Sequence, residues 1–314
     1  MSLVAVRKSL DGFAIGMMVL LCACWGLQQV ALKAAAPAMH PMLQVGIRSF
    51  GAAVLVGVLT LWRRESFSPR DGTLLPGIGA GLLFAGEFLA VSIGLEFTTA
   101  SHMAVFLYTA PVFTALGLHF LVKGEELRLA QWLGVAIAAG GVLFAFSAGL
   151  GGTTTQAKNM VLGDAFGILG GILWAGTTLL IRKSSLSEAP AGKTLVYQLG
   201  VAALVLLPLA LMLGKWETVR PSPTMWGCLA FQTIIVSFVS FLVWFWMLRT
   251  YLASRLSVFS FLTPLFGVTF GFLLLGERPD PRFVGGAVLV LTGIAVVNRR
   301  PARGKTQGAV DLKN

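Results

Sequence analysis

One apolar stretch occurs twice in this chain, and the repetition limits what the chain can fold into. Ser101 to Glu125 reads SHMAVFLYTAPVFTALGLHFLVKGE, and Ser254 to Glu277 reads SRLSVFSFLTPLFGVTFGFLLLGE. Pro111 is answered by Pro264, and Ser101, Val105, Phe106 and Phe113 by Ser254, Val258, Phe259 and Phe266. After a slip of one residue, Gly124-Glu125 answers Gly276-Glu277. Each copy is long enough to cross a bilayer, which takes roughly 20 apolar residues in a helix.

The rest of the chain is built of similar runs. The predicted spans are 12–36, 41–62, 74–95, 101–122, 127–148, 160–181, 193–213, 225–248, 254–275 and 282–297. Of the 314 residues 56% are hydrophobic and 12% charged, more apolar surface than a soluble domain can bury. In hydrocarbon a backbone amide must pair within its own segment, so these runs predict helices. The expected fold class is an all-α polytopic membrane protein with ten transmembrane helices. The small-residue run Ala34–Ala36 raises a signal-peptide reading for the first run. Its length, with Gln28, Gln29 and Lys33 inside it, favours an uncleaved first span.

Lys and Arg give the orientation. With the N-terminus inside, the outer side carries only Lys33, Lys158, Lys215, Arg220, Arg278 and Arg282; the other basic residues, Arg48 excepted, fall inside. Both termini are then cytoplasmic. The net charge of +11 is spent at span ends as topology signals, and nucleic acid is not an expected partner. Cys22, Cys24 and Cys228 lie in apolar runs without metal or redox spacing and are read as packing residues. No metal or cofactor is expected, and the absence of a nucleotide-binding loop leaves substrate or ion gradients as the energy source.

Further echoes divide the chain into repeats. Trp25, Gln28, Gln29 and Lys33 share the spacing of Trp174, Thr177, Thr178 and Arg182, and in a helix each set forms one stripe. Gly134 and Gly141 match Gly286 and Gly293. The expected units are a first five-helix repeat (12–148), a linker (149–159), a second repeat (160–298) and a cytoplasmic tail (299–314). Five is odd, so the second unit enters from the opposite face. Two inverted repeats characterise secondary transporters, because exchanging the shapes of the halves exchanges the open side. Channels and scaffolds also arise by duplication and stay as alternatives; an intramembrane protease is disfavoured, since Asp164 is the one aspartate near a span.

Five-plus-five helices, the Trp25-Gly26 pair in span 1, the central proline with a terminal Gly-Glu in spans 4 and 9, and the spaced glycines of spans 5 and 10 resemble the drug/metabolite transporter superfamily, EamA type. The resemblance covers residues 12–298. It implies a bacterial inner-membrane carrier that exports amino acids, often aromatic ones, or related small metabolites. It also implies a central cavity lined by spans 1, 3, 4, 6, 8 and 9, with a monomer favoured.

Polar residues inside a membrane are costly and mark candidate sites. Arg48 and Glu87 lie about two turns below the outer ends of spans 2 and 3, at depths that suit a salt bridge. Two roles fit: mutual neutralisation that pins two helices, or contact with the carboxylate and ammonium of a zwitterionic substrate. Gln198 stands where Arg48 falls in the second repeat. Trp25 and Trp174 are candidate aromatic walls, with Gln28, Gln29 and Thr178 beside them. His102 and Tyr108 on span 4 are further candidates; His102 is either a proton carrier or an interfacial hydrogen-bonder. Pro111 and Pro264 each remove a backbone hydrogen bond and predict a bend at the same place in both repeats. Trp244 and Trp246 are expected in an interfacial belt.

Overall fold

The computed structural model describes residues 11–65, 71–121, 129–150, 155–217, 219–251, 260, 262–278 and 281–298. Among these residues the regular structure is helical throughout. The helices are α1 (Gly12–Ala35), α2 (Pro41–Trp62), α3 (Leu74–Phe97), α4 (Ala100–Leu107), α5 (Ala110–Leu121), α6 (Leu129–Leu150), α7 (Thr155–Lys183), α8 (Ala191–Met212), α9 (Pro223–Ala230), α10 (Phe241–Thr250), α11 (Leu262–Leu275) and α12 (Pro281–Asn298). A π-helix, Phe231–Ser240, joins α9 to α10. Counting α4 with α5, and α9 with the π segment and α10, seven helices among the described residues are long and apolar enough to cross a membrane. Three shorter apolar helices accompany them. Helical structure reaches into the expected linker, since α6 runs to Leu150 and α7 starts at Thr155.

Local chemistry sets the ends. Asp11 accepts from Ala14 N at 2.8 Å and starts α1. His40 accepts from Met42 N at 3.2 Å just before Pro41, which suits a first helical position. Ser222 does the same for Met225 N at 3.2 Å, with Pro223 following. Span 4 is broken. Tyr108 and Thr109 form a turn between α4 and α5, because Pro111 has no N–H to offer the carbonyl of Leu107. Thr109 Oγ1 donates to Phe106 O at 2.6 Å and steadies the turn. In the second copy Pro264 lies in the first turn of α11, and the start of the predicted span, 254–261, falls almost wholly outside the described residues.

Span 8 departs from expectation in another way. Its middle ten residues are π-helical, with Gln232, Val236, Ser237 and Ser240 on the buried side. Thr233 and Ser240 donate to the carbonyls four residues back, Leu229 O at 2.8 Å and Val236 O at 2.5 Å. Such back-bonding competes with the backbone ladder and bends helices.

Glycines fix which helices touch and in which direction. Gly79, Gly86 and Gly94 of α3 meet Leu180, Leu173 and Gly163 of α7, an antiparallel register. Gly46 of α2 meets Leu207, and Gly192 of α8 meets Thr60, again antiparallel. Gly77 and Gly81 of α3 lie on Tyr197 and Val201 of α8, which is parallel. Gly267 and Gly271 of α11 face Ala104 and Ser101 of α4, antiparallel once more. α6 and α12 exchange contacts: Gly141 lies against Gly286 O and Val290 N, while Gly293 lies against Gly134 O and Ala138 N. Close approach of this kind uses small residues in place of a hydrophobic drive that lipid removes.

The polar end where α3 and α8 begin is tied by Lys193, 1% exposed at the start of α8, whose Nζ meets Asp71 Oδ2 at 2.5 Å. Thr73 Oγ1 donates to Asp71 Oδ1 at 2.6 Å. These bonds hold the Asp71 carboxyl down at about 2.

Two outcomes are expected. Gly293→Ala puts a Cβ 2.4 Å from Ala138 N, against backbone that cannot yield. It should cost about 1–3 kcal/mol, read as a lower melting temperature in detergent, whereas Gly140→Ala, which meets nothing within 4 Å, should leave it unchanged. Because the folded pKa of Asp71 is depressed, its contribution is present above the ordinary carboxylate value of about 4 and lost as pH falls towards 2. The melting temperature of Asp71→Asn should therefore lie below that of the parent at pH 7 and converge with it in acid.

Candidate functional site

Arg48 is fully buried on α2 and its guanidinium carbon lies 4.3 Å from the centroid of the Phe88 ring. None of its three nitrogens has a hydrogen-bond partner among the described residues. Glu87, 5% exposed on α3, attracts it through space but does not bond it. The salt bridge that their matched depths allow is therefore not formed. Depth in a membrane says nothing of azimuth, and the guanidinium settles over the neighbouring ring instead. A cation on an aromatic face recovers part of its lost hydration, far less than a carboxylate would.

More unpaired polar atoms are buried on the neighbouring helices. Gln29 Oε1 on α1, Ser49 Oγ on α2, Gln232 Oε1 and Ser237 Oγ on the π segment, and Thr263 Oγ1 on α11 all lack a partner among the described residues. One amide pair is joined: Gln44 Nε2 donates to Met39 O at 2.7 Å and Leu32 O at 3.2 Å, and Gln232 Nε2 donates to Gln44 Oε1 at 2.9 Å, which satisfies Gln44 and leaves Gln232 Oε1 open. Sequence reasoning passed over Gln44 and Gln232, although an amide inside an apolar run was the signal that picked out Gln28 and Gln29. Gln28 and Gln198 are buried at 5% and 6% exposure.

The aromatic candidates fall into two neighbourhoods. Trp174 stands edge-on to Tyr108 at 5.0 Å, in the core that also holds Phe84, Phe88 and Phe241. Tyr108 occupies the break between α4 and α5, faces Thr263 at the start of α11, and lies near Glu87 and Cys22. Trp25 packs edge-on to Trp244 at 5.4 Å, and its Nε1 donates to Ser240 Oγ at 3.0 Å. Trp244 and Trp246 both lie against α1, Trp244 on Trp25 and Trp246, 46% exposed, edge-on to Phe13. Thr178 is exposed and donates to Trp174 O at 3.1 Å; Thr177, its buried neighbour, bonds Leu173 O at 3.1 Å. The structure thus brings Arg48, Glu87, Tyr108 and Trp174 around one core, and puts Thr178 on the outside.

His102 belongs to a separate cluster beside the turn that joins α3 to α4. Its Nδ1 is 2.9 Å from Asp164 Oδ2, and its ring stacks on Phe283 at 3.9 Å. Thr98 Oγ1 donates to Asp164 Oδ1 at 2.5 Å. Asp164 was the missed partner: it comes from the other half of the chain, which no local pattern reveals. Nearby, His40 Nε2 lies 2.6 Å from Glu96 Oε1, with burial lowering the His40 pKa and the carboxylate opposing that shift.

Two cavities are described. One, of about 420 Å³, is lined by Lys33, Glu96, Thr98, Thr99 and Asn159, beside the α3–α4 turn. The other, of about 470 Å³, is an apolar groove between α2 and α8 lined by Phe50, Val54, Leu204 and Leu207. Neither is bounded by the predicted binding residues.

Membrane-length helices, a twice-used pattern and polar side chains buried between helices define a multi-pass membrane protein of the carrier type. The EamA-like transporter family matches residues 12–147 and again 161–299, and the chain belongs to that family. An uncharacterised transporter of Archaeoglobus fulgidus is 28% identical over 86% of this chain and 92% of its own length. Probable amino-acid metabolite efflux pumps of Escherichia coli and Salmonella typhimurium are 26% and 25% identical. They match over 88% and 91% of this chain and 92% and 94% of their own lengths. A crystal structure superimposes with a TM-score of 0.64 at 19% identity, over 91% of this chain and 97% of that one, a likeness of fold. Membership makes the chain a transporter of small molecules.

Gln44→Met should leave Gln232 and the carbonyls of Leu32 and Met39 unpaired, lowering stability by about 1–3 kcal/mol. Adding Gln232→Met should recover part of the loss, a coupling that a double-mutant cycle on thermal melts would measure.

Proposed function

We propose that this chain exports amino acids, aromatic ones included, or related small metabolites across the bacterial inner membrane by alternating access. Ten spans would form two inverted five-helix units, 12–148 and 160–298, with both termini in the cytoplasm. The helix directions support that topology. Spans crossing in opposite senses pack antiparallel (3 with 6, 2 with 7, 4 with 9, 5 with 10), and spans 3 and 7, crossing in the same sense, pack parallel. The packing also pairs as an inverted repeat requires, since α1 with α11 mirrors α7 with α4, and α2 with the π segment mirrors α8 with α3.

One observation carries the cargo reading: among the described residues, a buried guanidinium with no hydrogen bond stands beside a buried carboxyl with no ion pair. An amino acid carries the complementary pair, a carboxylate for Arg48 and an ammonium for Glu87, and would satisfy both at once. Trp174 and Tyr108 give a wall for an aromatic or aliphatic side chain. The names of the two efflux pumps point to the same class of cargo.

Proteoliposomes loaded with labelled amino acids test the proposal. Saturable transport with counterflow is expected, whereas a rate linear in substrate would indicate a channel. Arg48→Ala and Glu87→Gln should each lower transport at least tenfold, about 1.4 kcal/mol, with the folded yield kept. Full transport in both variants would return the two residues to a packing role.

A further inference from the structure

The connection between α3 and α4 is only Thr98 and Thr99, and it is gripped from three sides. Lys33 of α1 donates from Nζ to Leu95 O and, at 2.9 Å, to Thr98 O, the carbonyl end of α3. Glu277, just past α11, accepts from Ala100 N at 2.7 Å, Ser101 N at 2.9 Å and Ser101 Oγ at 2.5 Å, the amide end of α4. Asp164 of α7 takes the Thr98 hydroxyl at 2.5 Å and His102 Nδ1 at 2.9 Å. A cation meets a helix C-terminus and an anion meets a helix N-terminus, each in the sense the helix dipole favours.

The grip joins the two halves of the chain. Lys33 and the turn belong to the first family match, Asp164 and Glu277 to the second. Space is made for it, because a Cβ on Gly271 would lie 2.4 Å from both Ser101 Oγ and the Glu277 carboxylate. The outer cavity ends on this turn, walled by Lys33, Thr98 and Thr99. Tyr108 lies about 14 Å further along the same span, towards the middle of the bundle. The turn therefore stands between the outside solution and the buried polar core.

We propose that the α3–α4 turn is the outer gate of the transport path and that Lys33, Asp164 and Glu277 hold it shut. The contacts suit that task. Lys33 and Glu277 are half-buried at the rim of the bundle, so water can replace their charge-assisted hydrogen bonds when the gate opens, while Asp164, 2% exposed, holds the drier side of the turn. An apolar seal of equal area would have no such exchange partner. The inference rests on the proposed topology for which side is outside, and on the export reading only for what passes through.

Cys22 is a native reporter, buried on α1 about 16 Å inward of Lys33 and close to Tyr108 and Thr263. In a chain carrying Cys24→Ala and Cys228→Ala, a membrane-impermeant maleimide is applied from outside to intact cells, and its rate of reaction with Cys22 is followed. Glu277→Gln, Asp164→Asn and Lys33→Met should each raise the rate about fivefold or more, and Ser101→Ala, which removes one contact without disturbing a charge, should raise it less. Glu188→Gln, outside the grip, should leave it unchanged. Parent rates in Ser101→Ala and in every charged variant that retains the parental melting temperature would overturn the gate. A chain that labels as expected yet carries no amino acid keeps the gate and loses the cargo; one that carries amino acids with unaltered labelling does the reverse.

Discussion

Hydrocarbon forms no hydrogen bonds, so an interrupted helix must find partners for its freed backbone groups within the protein. The carbonyl end of α3 is met by Lys33, and the amide end of α4 by Glu277, both from far along the chain. At the second break the repair is local, with Thr109 Oγ1 donating to Phe106 O, and the Leu107 carbonyl that Pro111 leaves without its helical donor lies against Gly171 of α7, where a side chain would block the approach. The first break thus ties α1 and the end of α11 to the α3–α4 turn, and the second sets the start of α5 closely against α7.

That arrangement explains why much of the fold was legible and part was not. Span 2 is read to the residue, because Pro41 opens it and Arg63-Arg64 close it. Spans 3 and 7 come within two residues for similar reasons. The α4–α5 break and the π segment were not visible as such. Lipid-facing and buried sides are both apolar, so the periodicity that would betray a change of helix type is faint. Pro111 marked the place of the break but not that the helix stops there. The serines and threonines of span 8 carried a hint of distortion that composition alone does not rank.

The candidate site shows the same division. Charge and amide inside apolar runs picked out Arg48, Glu87, Gln29 and Gln198, all of which are buried. Partners were the weak point. Arg48 covers Phe88 rather than forming the salt bridge that its depth allows with Glu87, and His102 holds Asp164, sixty-two positions away, a partner that its own span does not suggest. A sequence gives the depth of a side chain in the membrane, while its direction around the helix axis is decided by packing. The residues that answer Ser101 and Glu277 in the other copy, Ser254 and Glu125, lie outside the described residues.

The meeting of α6 and α12 has a mechanical consequence. These helices touch through Gly141 and Gly293 with backbone against backbone, and each glycine is seated on the same pair of places in the other helix. Val135, Ala138 and Val290 pack round this contact, so the seam is glycine at two points and apolar side chain between them. The two crossings are reciprocal, one placed in each family match, so a bulkier residue at either would pry apart the same pair of helices from opposite ends.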